Sequence, residues 1–117
     1  MNEYPYIQQF RIWDPEKEVF VYSGGTPMML SSFFEQTATL HTVHIMPYHR
    51  STFLKDKNGK ENYEGDVLKL GQPFGNQIVQ WEQDGYFLQA GHDRLSTHAA
   101  HMEVIGNIYE NPELLAQ

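Results

Sequence analysis

The chain contains no cysteine. That excludes a disulfide framework, a thiolate metal site and a thiol nucleophile, and it suits a reducing cytosol. Long apolar runs are missing too. None approaches the roughly 20 residues that a membrane-spanning helix needs. The opening Met1-Asn2-Glu3-Tyr4-Pro5-Tyr6 has no basic region followed by an apolar stretch, so no secretory signal is expected and the protein should stay inside the cell. Basic residues are scarce, 8 against 15 acidic, for a net charge of −7. Non-specific nucleic-acid binding depends on many Lys and Arg contacts to phosphate, so a chain of this charge is a poor candidate for it. Catalytic signatures are also absent. Gly24-Gly25 is followed by Thr26-Pro27 with no Lys, which is not a phosphate loop. Ser23, Ser31, Ser32, Ser51 and Ser96 lack the context of a nucleophile elbow. The carboxylate pairs Glu16/Glu18 and Glu82/Asp84 sit beside turns, where solvated charge is the ordinary state. The expectation is a protein that is not an enzyme and holds no cofactor.

What is present is strand and turn punctuation. At 117 residues the chain is expected to form a single domain, 1–117, long enough for a core of its own. Phe10-Arg11-Ile12-Trp13 alternates, and Val19-Phe20-Val21-Tyr22 is β-branched and aromatic, so the Asp14-Pro15-Glu16-Lys17 turn should join a first hairpin. Asn58-Gly59 favours a tight turn, and Gly65-Asp66 opens a short strand at Val67. A further hairpin is expected from Ile78–Trp81 and Tyr86–Leu88 around Asp84-Gly85. Ser32-Phe33-Phe34-Glu35 has the form of a capping box opening a short helix, while Thr39 to Met46 reads as a strand ended by Pro47. Asn111-Pro112-Glu113 starts a C-terminal helical turn that must dock Leu114 and Leu115 to persist. The fold class is therefore all-β or mainly β: a short-stranded barrel or sandwich, with SH3-like barrel elements as one option. Phe10, Ile12, Trp81, Phe87 and Ile105 are the expected core.

Three segments carry a resemblance: Phe10-Arg11-Ile12-Trp13-Asp14; Leu54-Lys55-Asp56-Lys57-Asn58-Gly59-Lys60-Glu61 running on to Tyr63-Glu64-Gly65-Asp66-Val67; and Glu103 through Leu115. In this order and over nearly the whole chain they resemble the YopX family of phage and prophage proteins. The resemblance implies a β-rich fold and a phage or prophage origin, without an established activity. Two positions depart from the pattern. Relatives usually carry Thr-Gly-Leu where this chain has Thr52-Phe53-Leu54, and an apolar residue in place of Asn62. Residues 24–50 match no family feature. For Tyr63, Gly65 and Asp66 the favoured role is turn architecture.

Three functional readings remain. The six histidines fall as His41-x-x-His44, His49, His92 and His98-x-x-His101. On a strand His41 and His44 would point apart, whereas a helical turn would present His98 and His101 together, with His92, Asp93 or Glu103 as further zinc ligands. No metalloprotease Glu accompanies them, so a metal-dependent hydrolase is the weakest reading. Residues 50–69 hold Arg50, Lys55, Lys57, Lys60 and Lys69 against Asp56, Glu61, Glu64 and Asp66, a balance of +1, and support a nucleic-acid-binding small β-barrel as the alternative. The leading expectation is a non-enzymatic, self-associating module that binds a host or phage protein in the bacterial cytoplasm. Its motivation is the surplus of aromatics in 26–50, with Phe33 and Phe34 as contacts and Met28, Met29 and Tyr48 behind them.

Overall fold

The structure, a computed structural model, describes residues 7–70, 75–82, 85–88 and 101–116. It is mainly β, with two antiparallel four-stranded sheets, one helix and a 3-10 turn. The chain divides into two compact units, Met1–Ser51 and Thr52–Gln117.

In the first unit, β1 (Phe10–Asp14) and β2 (Val19–Tyr22) form the expected hairpin, with Trp13 opposite Phe20. Asp14 builds the turn as its sequence implies, Oδ1 accepting from the Glu16 and Lys17 amides at 3.0 and 3.1 Å. On its other side β1 pairs with β3 (Tyr48–Lys55), Arg11 lying opposite His49. Ile12, Trp13 and Phe33 are the buried apolar residues of this unit.

The helix, α1, runs from Pro27 to Thr42, so the strand expected over residues 39–46 and the helix start expected at Ser32 are both corrected. The cap is Thr26, in an extended conformation, with Oγ1 accepting from the Met29 amide at 3.1 Å and Pro27 opening the helix. Two threonines, a residue type with weak helix preference, are satisfied inside the helix. Thr37 donates to the Phe33 carbonyl at 2.7 Å and Thr42 to the Ala38 carbonyl at 2.8 Å. Burial of Phe33 and Thr37 then outweighs a weak intrinsic preference. After the Val43 cap, whose amide donates to the Thr39 carbonyl, Ile45 takes a φ of 56° and the Met46 amide reaches back to the Leu40 carbonyl.

In the second unit β4 (Glu61–Tyr63) neighbours β3, while β5 (Asp66–Lys69), β6 (Asn76–Glu82), β7 (Gly85–Leu88) and β8 (Glu103–Asn107) form a sheet of order β7-β6-β5-β8. Its core is Leu68, Val79 and Met102, with Leu54, Leu70 and Val104 packed around them. Side-chain carboxylates and amides hold the turns. Asp56 Oδ1 accepts from the Asn58 and Lys60 amides, and Oδ2 from Val104, 48 residues away at 2.8 Å. Burial alone would raise the Asp56 pKa. The amides of Val104, Lys60 and Asn58 and the Lys60 charge outweigh it, holding the carboxyl below its ordinary value. Gly59 follows at a φ of 82°, as the Asn-Gly turn requires. Asp66 accepts from the Tyr63 amide at 2.8 Å around Gly65, at a φ of 85°, the role its Gly-Asp step predicts.

The β6–β7 pairing is present with Glu82 opposite Gly85; residues 83–84, where part of the expected turn falls, lie outside the described residues. The side chains of Trp81 and Phe87 also lie outside them. Ile12 is buried as expected, whereas Phe10 and Ile105 are only half-buried. The C-terminal turn is a 3-10 helix, Pro112–Ala116, tied down by Asn76 Nδ2 donating to the Leu114 carbonyl at 3.0 Å. Among the described residues no helix is long and apolar enough to cross a membrane.

Two positions carry local irregularities. Phe53 has a φ of 63°, a region in which a bulky residue is strained. The Asn62 side chain is 0 % exposed, and neither its Oδ1 nor its Nδ2 finds a partner among the described residues.

Candidate functional site

The residues singled out in 26–50 converge within the first unit. Phe33 and Phe34 project from successive positions of α1, and Tyr48 from the start of β3. They form an aromatic cluster with Phe10. Phe34 lies 5.4 Å from Phe10, 5.4 Å from Phe33 and 5.2 Å from Tyr48, between ring centroids. Thr37 has already given its single proton to the Phe33 carbonyl, so Tyr48 donates its hydroxyl to Thr37 Oγ1 at 3.0 Å. Cluster and helix are thereby locked together.

Beside the cluster, α1 and the segment following β2 enclose an open pocket of about 590 Å³. Tyr22, Ser23 and Gly24 line one side; Met28, Met29, Ser32, Phe33 and Gln36 line the other, and Thr26 the end. Ser23 is fixed there by three bonds: its Oγ accepts from the Phe10 amide at 2.9 Å and donates to the Gly24 carbonyl, and its amide donates to the Phe10 carbonyl. Gly24, at a φ of 80°, leaves room for Met29, because a Cβ there would meet the Met29 sulfur at 2.7 Å.

Exposure sorts the expected contacts. Phe33 is 3 % exposed and serves as the pocket's wall and the helix's anchor, which leaves Phe34 at 37 %, Met29 at 54 % and Met28 at 81 % as outward-facing groups. No lining residue carries a formal charge, and Glu35 is the single carboxylate on α1, which has no Lys or Arg. Charge scarcity on a helix of residues 27–42 was visible in the sequence. The pocket was not, since it needs Ser23 and Gly24 to be brought against the helix.

The histidines disperse. His41 stacks on Tyr48, centroids 4.7 Å apart, and donates from Nδ1 to the Met46 carbonyl at 2.9 Å. His44 Nε2 lies 3.5 Å from Glu16, and His49 is buried in β3. His101 is exposed, while His98 and His92 lie outside the described residues. Among the described residues no three His, Asp or Glu side chains are placed to hold one metal ion. In the 50–69 stretch Lys55, Lys57, Lys60 and Lys69 are exposed, whereas Asp56 and Asp66 are buried on backbone amides. Lys57 lies 3.8 Å from Glu103.

A family model described as YopX protein matches residues 9–116. The chain belongs to the YopX family. Among solved structures it is similar to the crystal structure of protein EF1440 from Enterococcus faecalis, with a TM-score of 0.62 and 22 % identity over 93 % of this chain and 98 % of that one. At that identity the likeness shows a shared fold. No curated protein matches this YopX-family chain.

Proposed function

We propose that this YopX-family protein is a non-enzymatic accessory protein of a phage or prophage. It acts in the cytoplasm of the bacterial host by binding another protein, of host or phage origin, and it self-associates. One observation carries this reading: an exposed, uncharged, methionine-rich surface around an open pocket, in a chain that is otherwise strongly acidic. Charged residues are depleted and Met and aromatics enriched at the centres of protein interfaces, and methionine adapts its shape to a partner. The test is capture from host-cell lysate, with nuclease, using a tag free of histidine. Met29→Ala/Phe34→Ala should abolish capture of the partner that the wild-type chain retains, while Val43→Ala, at an exposed position after α1, should leave it intact. Equal capture by wild type and Met29→Ala/Phe34→Ala removes the reading.

A second reading rests on the hidden carboxylates of 50–69. With Asp56 and Asp66 turned inward, the exposed side chains of that stretch are weighted to lysine, as binding to a nucleic-acid backbone requires. It predicts binding to single- or double-stranded DNA or RNA that weakens steeply with salt. Fluorescence anisotropy that stays flat at low salt eliminates it.

A further inference from the structure

We infer that the outer face of the β3–β4 hairpin and the adjoining end of β5 bind single-stranded nucleic acid. Phe53 stacks on a base, and Lys55, Lys57, Lys60 and Lys69 hold the phosphates. The inference rests on the nucleic-acid reading of residues 50–69 and names its ligand class and the residue that selects it.

Register gathers these groups within the second unit. Along β3, Thr52 is buried, its hydroxyl donating to the Asn62 carbonyl at 2.9 Å, and Leu54 packs on Leu68, Val79 and Met102. Phe53 and Lys55 alternate with them and face outward. Lys57 and Lys60 follow in the turn, both exposed, while Asp56 is directed inward to its three amides. The Lys57 amide donates to the Met102 carbonyl at 2.9 Å, which fixes the turn beside β8. There Glu103 lies 3.8 Å from Lys57 Nζ and opposite Lys69 in the β5–β8 register. Glu61, Glu64 and Glu103 are half-buried, whereas the four lysines are exposed. The groups that reach furthest into solvent are therefore basic, with one aromatic ring beside them.

Phe53 decides the class of ligand. Lysines alone hold any polyanion, and a duplex keeps the faces of its bases stacked on one another. An unpaired base offers its face to a ring, and aromatic platforms beside basic side chains hold single strands without reading their sequence. The Phe53 ring is 46 % exposed at a φ of 63°. Residues held in such sparsely populated conformations cluster at binding sites. The acidic residues elsewhere in the chain do not cancel this surface, because physiological salt largely screens exposed charges beyond about 8 Å.

Fluorescence anisotropy of the full chain with a labelled oligothymidylate of about 12 nucleotides provides the test. Binding is expected at low salt, with log K falling on log salt at a slope of about −3, as four phosphate contacts to a single strand require. An abasic strand of the same length and the matching duplex should each bind about tenfold more weakly, since neither offers a free base to stack. Phe53→Ala should weaken oligothymidylate binding about tenfold, keep the salt slope and remove the advantage over the abasic strand, whereas Phe53→Tyr, which keeps a ring, should bind as wild type does. Lys57→Gln/Lys60→Gln should lower the slope by about 1. Lys17→Gln, at an exposed lysine of the first unit, should change nothing. Flat anisotropy at low salt overturns this inference together with the nucleic-acid reading. Equal affinity for the abasic strand, the duplex or polyglutamate overturns this inference alone and leaves a surface for polyanions in general. Indifference to Phe53→Ala, or weakening by Lys17→Gln as great as by Lys57→Gln/Lys60→Gln, overturns it as well.

Discussion

The two units are stabilised by different chemistry. In Met1–Ser51 the principal contacts are between rings: Phe10, Phe33, Phe34 and Tyr48 around α1, and Trp13 on Phe20 at 5.0 Å with the Arg11 guanidinium 3.9 Å from the same ring. In Thr52–Gln117 the core is aliphatic and the turns are held by buried Asp and Asn side chains that accept backbone amides: Asp56, Asp66 and Asn107, whose Oδ1 takes the amides of Tyr109 and Glu110. Ring packing tolerates small adjustments of neighbouring side chains. A carboxylate with several amides directed at it does not, since losing it leaves every one of those donors without its acceptor. The second unit should therefore be the more sensitive to single polar substitutions.

The largest expected effect tests that directly. Asp56→Ala removes the acceptor of three amides, one of them 48 residues away, and should cost about 3 kcal/mol or more in a denaturant titration. Thr26→Ala, the corresponding deletion of a side-chain acceptor in the first unit, frees one amide and should cost about 1 kcal/mol. Equal costs would erase the contrast. Asp56 also carries a pH signature. Its folded pKa lies below the ordinary carboxylate value, so the unfolded chain takes up the proton first as pH falls. Its contribution is complete above the unfolded value and is lost as pH drops through the folded one. Thermal melts from neutral pH downward should show that decline in the wild type, and Asp56→Ala should lack this part of it.

Legibility follows the same division. Asn58-Gly59, Gly65-Asp66, Asp14-Pro15 and Asn111-Pro112 act within a few residues of themselves, and each marks a turn in the structure. The helix was misread because its cap, Thr26-Pro27, lies six residues before the Ser32 that imitates one, and its β-branched C-terminal half is held by packing at Phe33 and Thr37. Periodicity cannot report such packing. Met28 and Met29 were legible as candidate contacts from residue type. The hollow they border was not, because its other side is built by Ser23 and Gly24 from beyond the helix.

A smaller effect, opposite in sign, is expected at Asn62. Its buried amide lost water on folding and gained no partner among the described residues, a state that costs about 1–3 kcal/mol. Asn62→Leu keeps the volume close and removes the polar group, so the midpoint of unfolding should rise by an amount equivalent to about 1–2 kcal/mol. A fall would mean that the amide has a partner beyond the described residues, and would strengthen the rule that this unit satisfies its polar side chains.

The smallest effect is expected at Phe53. Phe53 is 46 % exposed and sits at a φ of 63° within β3. Truncating an aromatic to glycine ordinarily destabilises, through lost contact and through the added freedom of the unfolded chain, the latter about 0.5–1 kcal/mol. Against that stands the strain of a left-handed Phe, about 1–2 kcal/mol, which glycine does not experience. With half of the ring already in water, the two nearly cancel. Phe53→Gly should leave the melting temperature unchanged or slightly raised, whereas Phe53→Ala, which loses the ring and keeps most of the strain, should lower it. If both variants fall together, the ring's contacts outweigh the backbone strain, and Phe53 is a packing residue of the second unit. If they separate as expected, the ring is held at a strained position without stabilising the fold, and β3 becomes the next place to look for a contact outside the chain.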